Sequence, residues 1–123
     1  MKWYAKYLQV YEKPFASAPA EVVSGVKEKL RQLTENSQPL SSVILICHNE
    51  ETRLLSCLWS LCDNECDFPI EILAVNNNST DRTEEVMRQL GVTYFNETKK
   101  GPGHARQCGL DRAKGKYHIC IDT

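Results

Sequence analysis

Val43-Ile44-Leu45-Ile46-Cys47-His48-Asn49-Glu50-Glu51 is the stretch whose reading decides the fold. Its first five residues are apolar, with β-branched Val and Ile prominent, and predict a short strand buried on both faces, as in a parallel sheet. The run then breaks into polar and charged groups. Open α/β sheets keep their binding crevice there, outside the carboxyl ends of the strands. The same pattern recurs twice. Ile70-Glu71-Ile72-Leu73-Ala74-Val75 breaks into Asn76-Asn77-Asn78-Ser79-Thr80-Asp81, and Tyr117-His118-Ile119-Cys120-Ile121 breaks into Asp122-Thr123.

Helical patterns separate these runs. Leu54, Leu55, Leu58, Leu61 and Cys62 share one face and predict a helix over residues 51–62. Residues 81–90 predict another, with Asp81 as its cap, Glu84 reaching back in a capping box and Gly91 as its stop. A short strand is expected over 92–95, then a helix rich in small residues over 104–114 that stops at Gly115. Alternating strands and helices of this kind predict an α/β fold, a Rossmann-like parallel sheet with flanking helices and right-handed crossovers. All carboxyl ends then lie on one edge, which brings together residues 48–51, 76–81, 96–100 and Asp122.

A chain of 123 residues suffices for one domain. Net charge is −1, so no global field recruits nucleic acid or an anionic membrane, and any anion site must be local. No apolar run approaches the roughly 20 residues needed to span a bilayer. Met1-Lys2-Trp3-Tyr4-Ala5-Lys6 also lacks the apolar core of a signal peptide, so a cytoplasmic protein is expected.

Residues 1–40 read as an N-terminal helical extension and linker, and residues 41–123 as the domain proper. Trp3, Tyr4, Tyr7, Leu8 and Tyr11 fall on one face at helical spacing, with lysines elsewhere. This aromatic stretch can be read as a peripheral membrane contact at the inner face of a membrane, or as a segment docked on the domain. The shortness of the stripe and its closure by Pro14 favour docking. A second helix is expected from about Pro19 to Thr34, with Val22, Val23, Val26, Leu30 and Leu33 as its apolar face. The six cysteines include Cys62 and Cys66, which could be imagined joining His48 around zinc. The paired Cys-x2-Cys knuckles of structural zinc sites are absent, so reduced, structural thiols are the reading.

Three blocks together resemble the N-terminal half of a family 2 glycosyltransferase of the GT-A fold. The family's first strand usually ends Pro-(Thr/Ala/Cys)-(Tyr/His)-Asn-Glu, and Ile46-Cys47-His48-Asn49-Glu50 stands here. Its second ends in a pattern such as Asp-Asn-Asn-Ser-x-Asp, matched by Asn76-Asn77-Asn78-Ser79-Thr80-Asp81. Its third block resembles Ala-Arg-Asn-x-Gly-Leu-x-x-Ala-x-Gly-x-Tyr leading to Asp-x-Asp, matched by Ala105-Arg106-Gln107-Cys108-Gly109-Leu110 through Gly115-Lys116-Tyr117 to Asp122.

The resemblance implies a transferase that moves a sugar, with inversion, from a nucleotide-diphosphate sugar to an acceptor hydroxyl on a saccharide or lipid-linked molecule. Cys47, His48 and Glu50 would line the nucleotide pocket, with Asn76 and Asn77 at the second strand end. These two stand where the family often has Asp, and amides carry no charge to pair with a ribose or cation. Arg106 would grip the diphosphate, being better suited to bidentate contact than Lys99 or Lys100. Asp122 would hold a divalent cation, Mg²⁺ or Mn²⁺.

The second Asp of the Asp-x-Asp pattern would fall just past Thr123. The family's general base lies further downstream, so no catalytic residue is assigned. The expectation is a GT-A sheet cut off after its fourth strand, inactive by itself. Two rivals are kept: a non-catalytic nucleotide-binding or interaction module, with the Asn76 and Asn77 amides as relaxed remnants, and a nucleotidyltransferase. The second is disfavoured because the acidic, glycine-free loop at His48-Asn49-Glu50-Glu51 is poor for three phosphates.

Overall fold

The structure is a computed structural model that describes residues 5–35, 38–63 and 68–122. Trp3 and Tyr4 of the aromatic stretch, Asn36 and Ser37 of the expected linker, Cys66 and Thr123 lie outside the described residues. The expected strands form: β1 (Ser41–Cys47), β2 (Ile70–Asn76), β3 (Thr93–Asn96) and β4 (Tyr117–Asp122). They make one parallel sheet in the order β3-β2-β1-β4. The register aligns their ends, with Ile46 opposite both Val75 and Asp122, and Asn76 opposite both Cys47 and Asn96.

Every residue of β1 is buried, as expected for a central strand. Alternation sends its side chains to two cores. Val43, Leu45 and Cys47 join Ile72 and Ala74 beneath the helices α1 (Ala20–Thr34), α2 (Leu54–Asp63) and α3 (Thr83–Leu90). Ile44 and Ile46 join Val75 beneath α4 (Pro102–Arg112). Leu54, Leu58, Met87 and Leu90 are fully buried from α2 and α3. By contrast, α4 buries only Ala105 and Gly109, because small residues let it lie close on β1 and β2.

Three helix starts differ from expectation, α4 beginning at Pro102 rather than at residue 104. Residues 51–53 form a turn instead of the first turn of α2, closed by the Arg53 and Leu54 N–H groups donating to Glu50 O at 3.1 and 2.9 Å. Asp81 does accept from the Thr83 N–H at 2.9 Å, but α3 begins only at Thr83. The Glu84 carboxylate does not reach back. It accepts instead from the Tyr94 hydroxyl and Asn96 Nδ2, both at 3.0 Å, so the capping box does not form. Gly91 ends α3 as expected, in the left-handed region at φ 75°.

The N-terminal segment is docked. Residues Ala5–Gln9 form a 3-10 helix rather than an α-helix. The Tyr7 ring stands edge-on to Trp59 with centroids 5.1 Å apart, and its hydroxyl donates to Asp63 Oδ2 at 2.7 Å. Val10 from this segment, with Val26 and Leu30 from α1, completes the main core. Residues 5–35 therefore share a core with the sheet and are not a detached extension. Leu8 and Tyr11 face outward. Among the described residues no helix is long and apolar enough to cross a membrane.

Gly115 was expected as a helix stop, but α4 already ends at Arg112. Its place is fixed by close approach, since a Cβ there would sit 2.7 Å from Ser41 C and 2.8 Å from Ser42 N. The Gly115 N–H donates to Ser42 Oγ at 2.9 Å, and the Ser42 hydroxyl in turn donates to Glu71 Oε2 at 2.5 Å. This small polar junction pins the start of β4 against β1 and β2.

Candidate nucleotide-binding cleft

At the carboxyl edge of the sheet two loops interlock. Asn49 and Asn78 both adopt left-handed backbone, at φ 55° and 57°, a conformation Asn tolerates better than most residues. The Asn49 side-chain oxygen accepts from the Thr80 and Asp81 N–H groups at 2.7 and 3.3 Å, while its own N–H donates to Ser79 Oγ at 3.0 Å. The Asn78 amide donates to Thr98 O at 3.0 Å and to Glu97 O at 3.3 Å. Through these two asparagines the loop after β2 is tied to those after β1 and β3.

Between the loops lies a cleft of about 570 Å³, lined by His48, Asn77, Thr80, Lys100, Gly101 and Asp122 among others. His48 Nδ1 lies 2.7 Å from Asn77 O. A carbonyl oxygen only accepts, so Nδ1 carries the proton, and in the neutral ring Nε2 remains an acceptor. Asn77 Nδ2 donates to Gly101 O at 2.7 Å, and its oxygen accepts from Asn78 Nδ2 at 2.9 Å. Gly101 has φ 120°, which brings backbone to the wall where a side chain would be strained. Arg106 on α4 reaches across to Asp122 Oδ2 at 2.9 Å.

The sequence-predicted residues separate into two groups. His48, Asn77 and Asp122 line the cleft, and Arg106 joins Asp122. Cys47, Asn76 and Glu50 are absent from its lining. Ile46 faces the cleft, so alternation turns Cys47 the other way, fully buried among the apolar residues of the main core. Asn76 is likewise buried, donating to Asn96 Oδ1 at 2.9 Å, while its own Oδ1 is buried with no partner among the described residues. Glu50 is buried beyond the left-handed turn at Asn49 and lines a different hollow. Burial pushes its carboxyl above the usual range; nearby Asp81 adds to this, while Arg53 and His48 oppose it.

Sequence reasoning brought residues 76–81 to this edge but did not single out Thr80, which lines the cleft. Asn49 drew attention only as part of a motif, although an Asn in the loop just past a strand is a signal for the left-handed turn it makes.

Among the described residues no three His, Cys, Asp or Glu side chains are grouped to hold a metal ion, and no disulfide joins the five described cysteines. A cation at this edge could take one hard oxygen from Asp122, with phosphate oxygens completing its shell. That donor set suits Mg²⁺ or Mn²⁺, which bind through one or two carboxylates plus substrate phosphates.

A model of the family described as glycosyl transferase family 2 matches residues 42–123. Among curated proteins, an uncharacterized glycosyltransferase of Haemophilus influenzae is 30% identical over 93 residues, covering 71% of this chain and 37% of that protein. A 4,4'-diaponeurosporenoate glycosyltransferase of Staphylococcus aureus is 27% identical over 121 residues, covering 98% of this chain and 29% of its own length. The chain thus spans about a third of these relatives. Among solved structures, S. aureus TarS 1-349 has a TM-score of 0.55 at 30% identity, over 67% of this chain and 26% of TarS. Its complex with UDP matches equally well.

Proposed function

This chain belongs to glycosyl transferase family 2, its Rossmann-like sheet is of the GT-A type, and on that premise we propose that the cleft at the sheet edge holds the nucleotide diphosphate of a sugar donor. The reaction is transfer of the sugar to an acceptor hydroxyl with inversion. The observation that carries this reading is the convergence of His48, Asn77 and Asp122 on one cleft from three strand ends far apart in sequence. The UDP complex of TarS supports a uridine nucleotide as the ligand.

His48, held by Asn77 O, presents a fixed ring for the base to stack on and an acceptor at Nε2. Lys100 and Arg106 supply positive charge near the diphosphate, Lys100 as a mobile point charge and Arg106 with a planar fork. Asp122 would hold Mg²⁺ or Mn²⁺, which when bound neutralises charge on the departing diphosphate. In an inverting displacement the acceptor oxygen bonds to the sugar carbon as the carbon–oxygen bond to the diphosphate breaks, its electron pair leaving with the phosphate. The acceptor proton goes to a general base. Of the described residues lining the cleft, Asp122 alone is a carboxylate, and Arg106 engages it. This chain therefore binds the donor without turning it over.

Calorimetry of UDP, GDP and dTDP against the 123-residue protein, with and without Mn²⁺, tests the reading. UDP binding that tightens with Mn²⁺, with no release of sugar from a UDP-sugar, is expected. No binding of any nucleoside diphosphate would overturn it.

A further inference from the structure

The loop after β1 is held from two sides. On the cleft side, the Asn49 side-chain oxygen accepts from the Thr80 and Asp81 N–H groups, and the Glu50 N–H donates to Thr83 Oγ1 at 2.8 Å. On the far side stands the N-terminal segment, which precedes the residues that the family model matches. It acts through two consecutive residues. The Glu12 N–H donates to Thr52 O at 2.8 Å, and the Glu12 carboxylate pairs with the Arg53 guanidinium at 2.9 Å. That guanidinium also lies 5.9 Å from the centroid of the Tyr11 ring. Val10, buried in the main core, anchors the segment directly ahead of these contacts. Glu12 itself is held at φ 56°, left-handed backbone that residues other than Gly, Asn and Asp seldom adopt. Among the described non-glycine residues, positive φ occurs at Glu12, Asn49 and Asn78, so it falls on the two interlocked loops and on the segment behind them. Such backbone persists where surrounding contacts over-determine it, and it clusters at functional sites.

We propose that Glu12 is a positioning residue for the donor cleft. Bound to the turn at Thr52 and Arg53, it holds Asn49 in the conformation that ties down Thr80, and so sets the shape of the cleft wall. The assignment rests on the donor reading above, and it gives the N-terminal segment a part in donor binding beyond its share of the core. The ion pair is the lesser contribution, since both side chains are half exposed and a surface pair holds little. The backbone N–H is the greater one, because a main-chain bond joins two fixed stretches of chain and no side-chain rotation loosens it.

Amide hydrogen exchange and UDP calorimetry on variants of the 123-residue protein provide the test. Glu12→Pro removes the N–H and forbids left-handed backbone. Exchange of the Thr80 and Asp81 amides should quicken about fivefold, and UDP affinity should fall about fivefold. Glu12→Gly keeps the N–H and adopts left-handed backbone freely, so it should restore both readouts. Tyr7→Phe, which loses the bond to Asp63 at the other end of the segment, controls for weakened docking. It should lower the melting temperature and move neither readout. A segment that only packs would let Glu12→Pro lower the melting temperature while Thr80 exchange and UDP affinity stay put, and that result overturns the proposal. Equal losses in Glu12→Pro and Tyr7→Phe overturn it too. Should Glu12→Pro not fold, Glu12→Ala takes its place, since it disfavours the left-handed backbone, and unchanged Thr80 exchange there again overturns the proposal. Failure of UDP to bind the unaltered protein overturns the donor reading, while Thr80 exchange still decides whether Glu12 shapes the loop.

Discussion

Arg106 and Asp122 meet at the edge of the cleft with 43% and 58% of their side-chain surfaces exposed. An exposed ion pair of this kind contributes only about 0.2–1 kcal/mol to stability. Arg106 is therefore free to change partner when a diphosphate arrives, and Arg106→Ala should leave the melting temperature nearly unchanged while weakening UDP binding about tenfold, the worth of one charge-assisted contact. Calorimetry together with a melting curve checks both halves. Glu50 makes the opposite prediction. Its carboxyl titrates higher in the folded than in the unfolded chain because burial disfavours the charged form. The folded state then binds the extra proton, so stability is greatest below the unfolded pKa and falls as pH rises through the folded one. Glu50→Leu removes that loss, and its melting temperature should exceed that of the unaltered protein by more at pH 7 than at pH 4. A constant difference would show that the carboxylate is satisfied in solution.

At the scale of the elements, β1 and β2 were legible because a strand buried on both faces must be written in consecutive apolar residues. By contrast β3 and β4, largely exposed, were legible from their β-branched and aromatic residues. Helix starts were not, because Asn49 and Asn78 form a left-handed, cross-bonded pair of loops whose partners lie some 20 to 30 residues away. The same limit explains the site. Sequence placed residues at strand ends, but which side of the sheet each side chain takes follows from alternation, and that sends Cys47 and Asn76 opposite to Ile46. Gly115 was legible as a stop and illegible as a contact. With backbone only 2.7 Å from where a Cβ would stand, Gly115→Ala should cost roughly 1–3 kcal/mol. Gly103→Ala, where a Cβ meets nothing within 4 Å, should instead gain up to about 1 kcal/mol from helix propensity. Urea denaturation of the two variants separates these effects.

For the molecule as a whole, composition suggested a domain from residue 41 with something prepended. The prepended part turned out to be one wall of the core, because Val10, Val26 and Leu30 are too few to form a core alone and too apolar to stay in water. Strand order was the least legible property, since no local pattern states that β4 crosses back to pair with β1. That crossing implies a sequence of assembly. β1 and β2 can zip together across a single intervening helix, whereas β4 must wait for everything between before Tyr117 finds Ser41. The last arrival, at the rim, should also be the first to leave. Amide exchange ought to find β4 opening at least tenfold faster than β1 and β2, and the fold should unravel from the strand that carries Asp122 before its centre loosens.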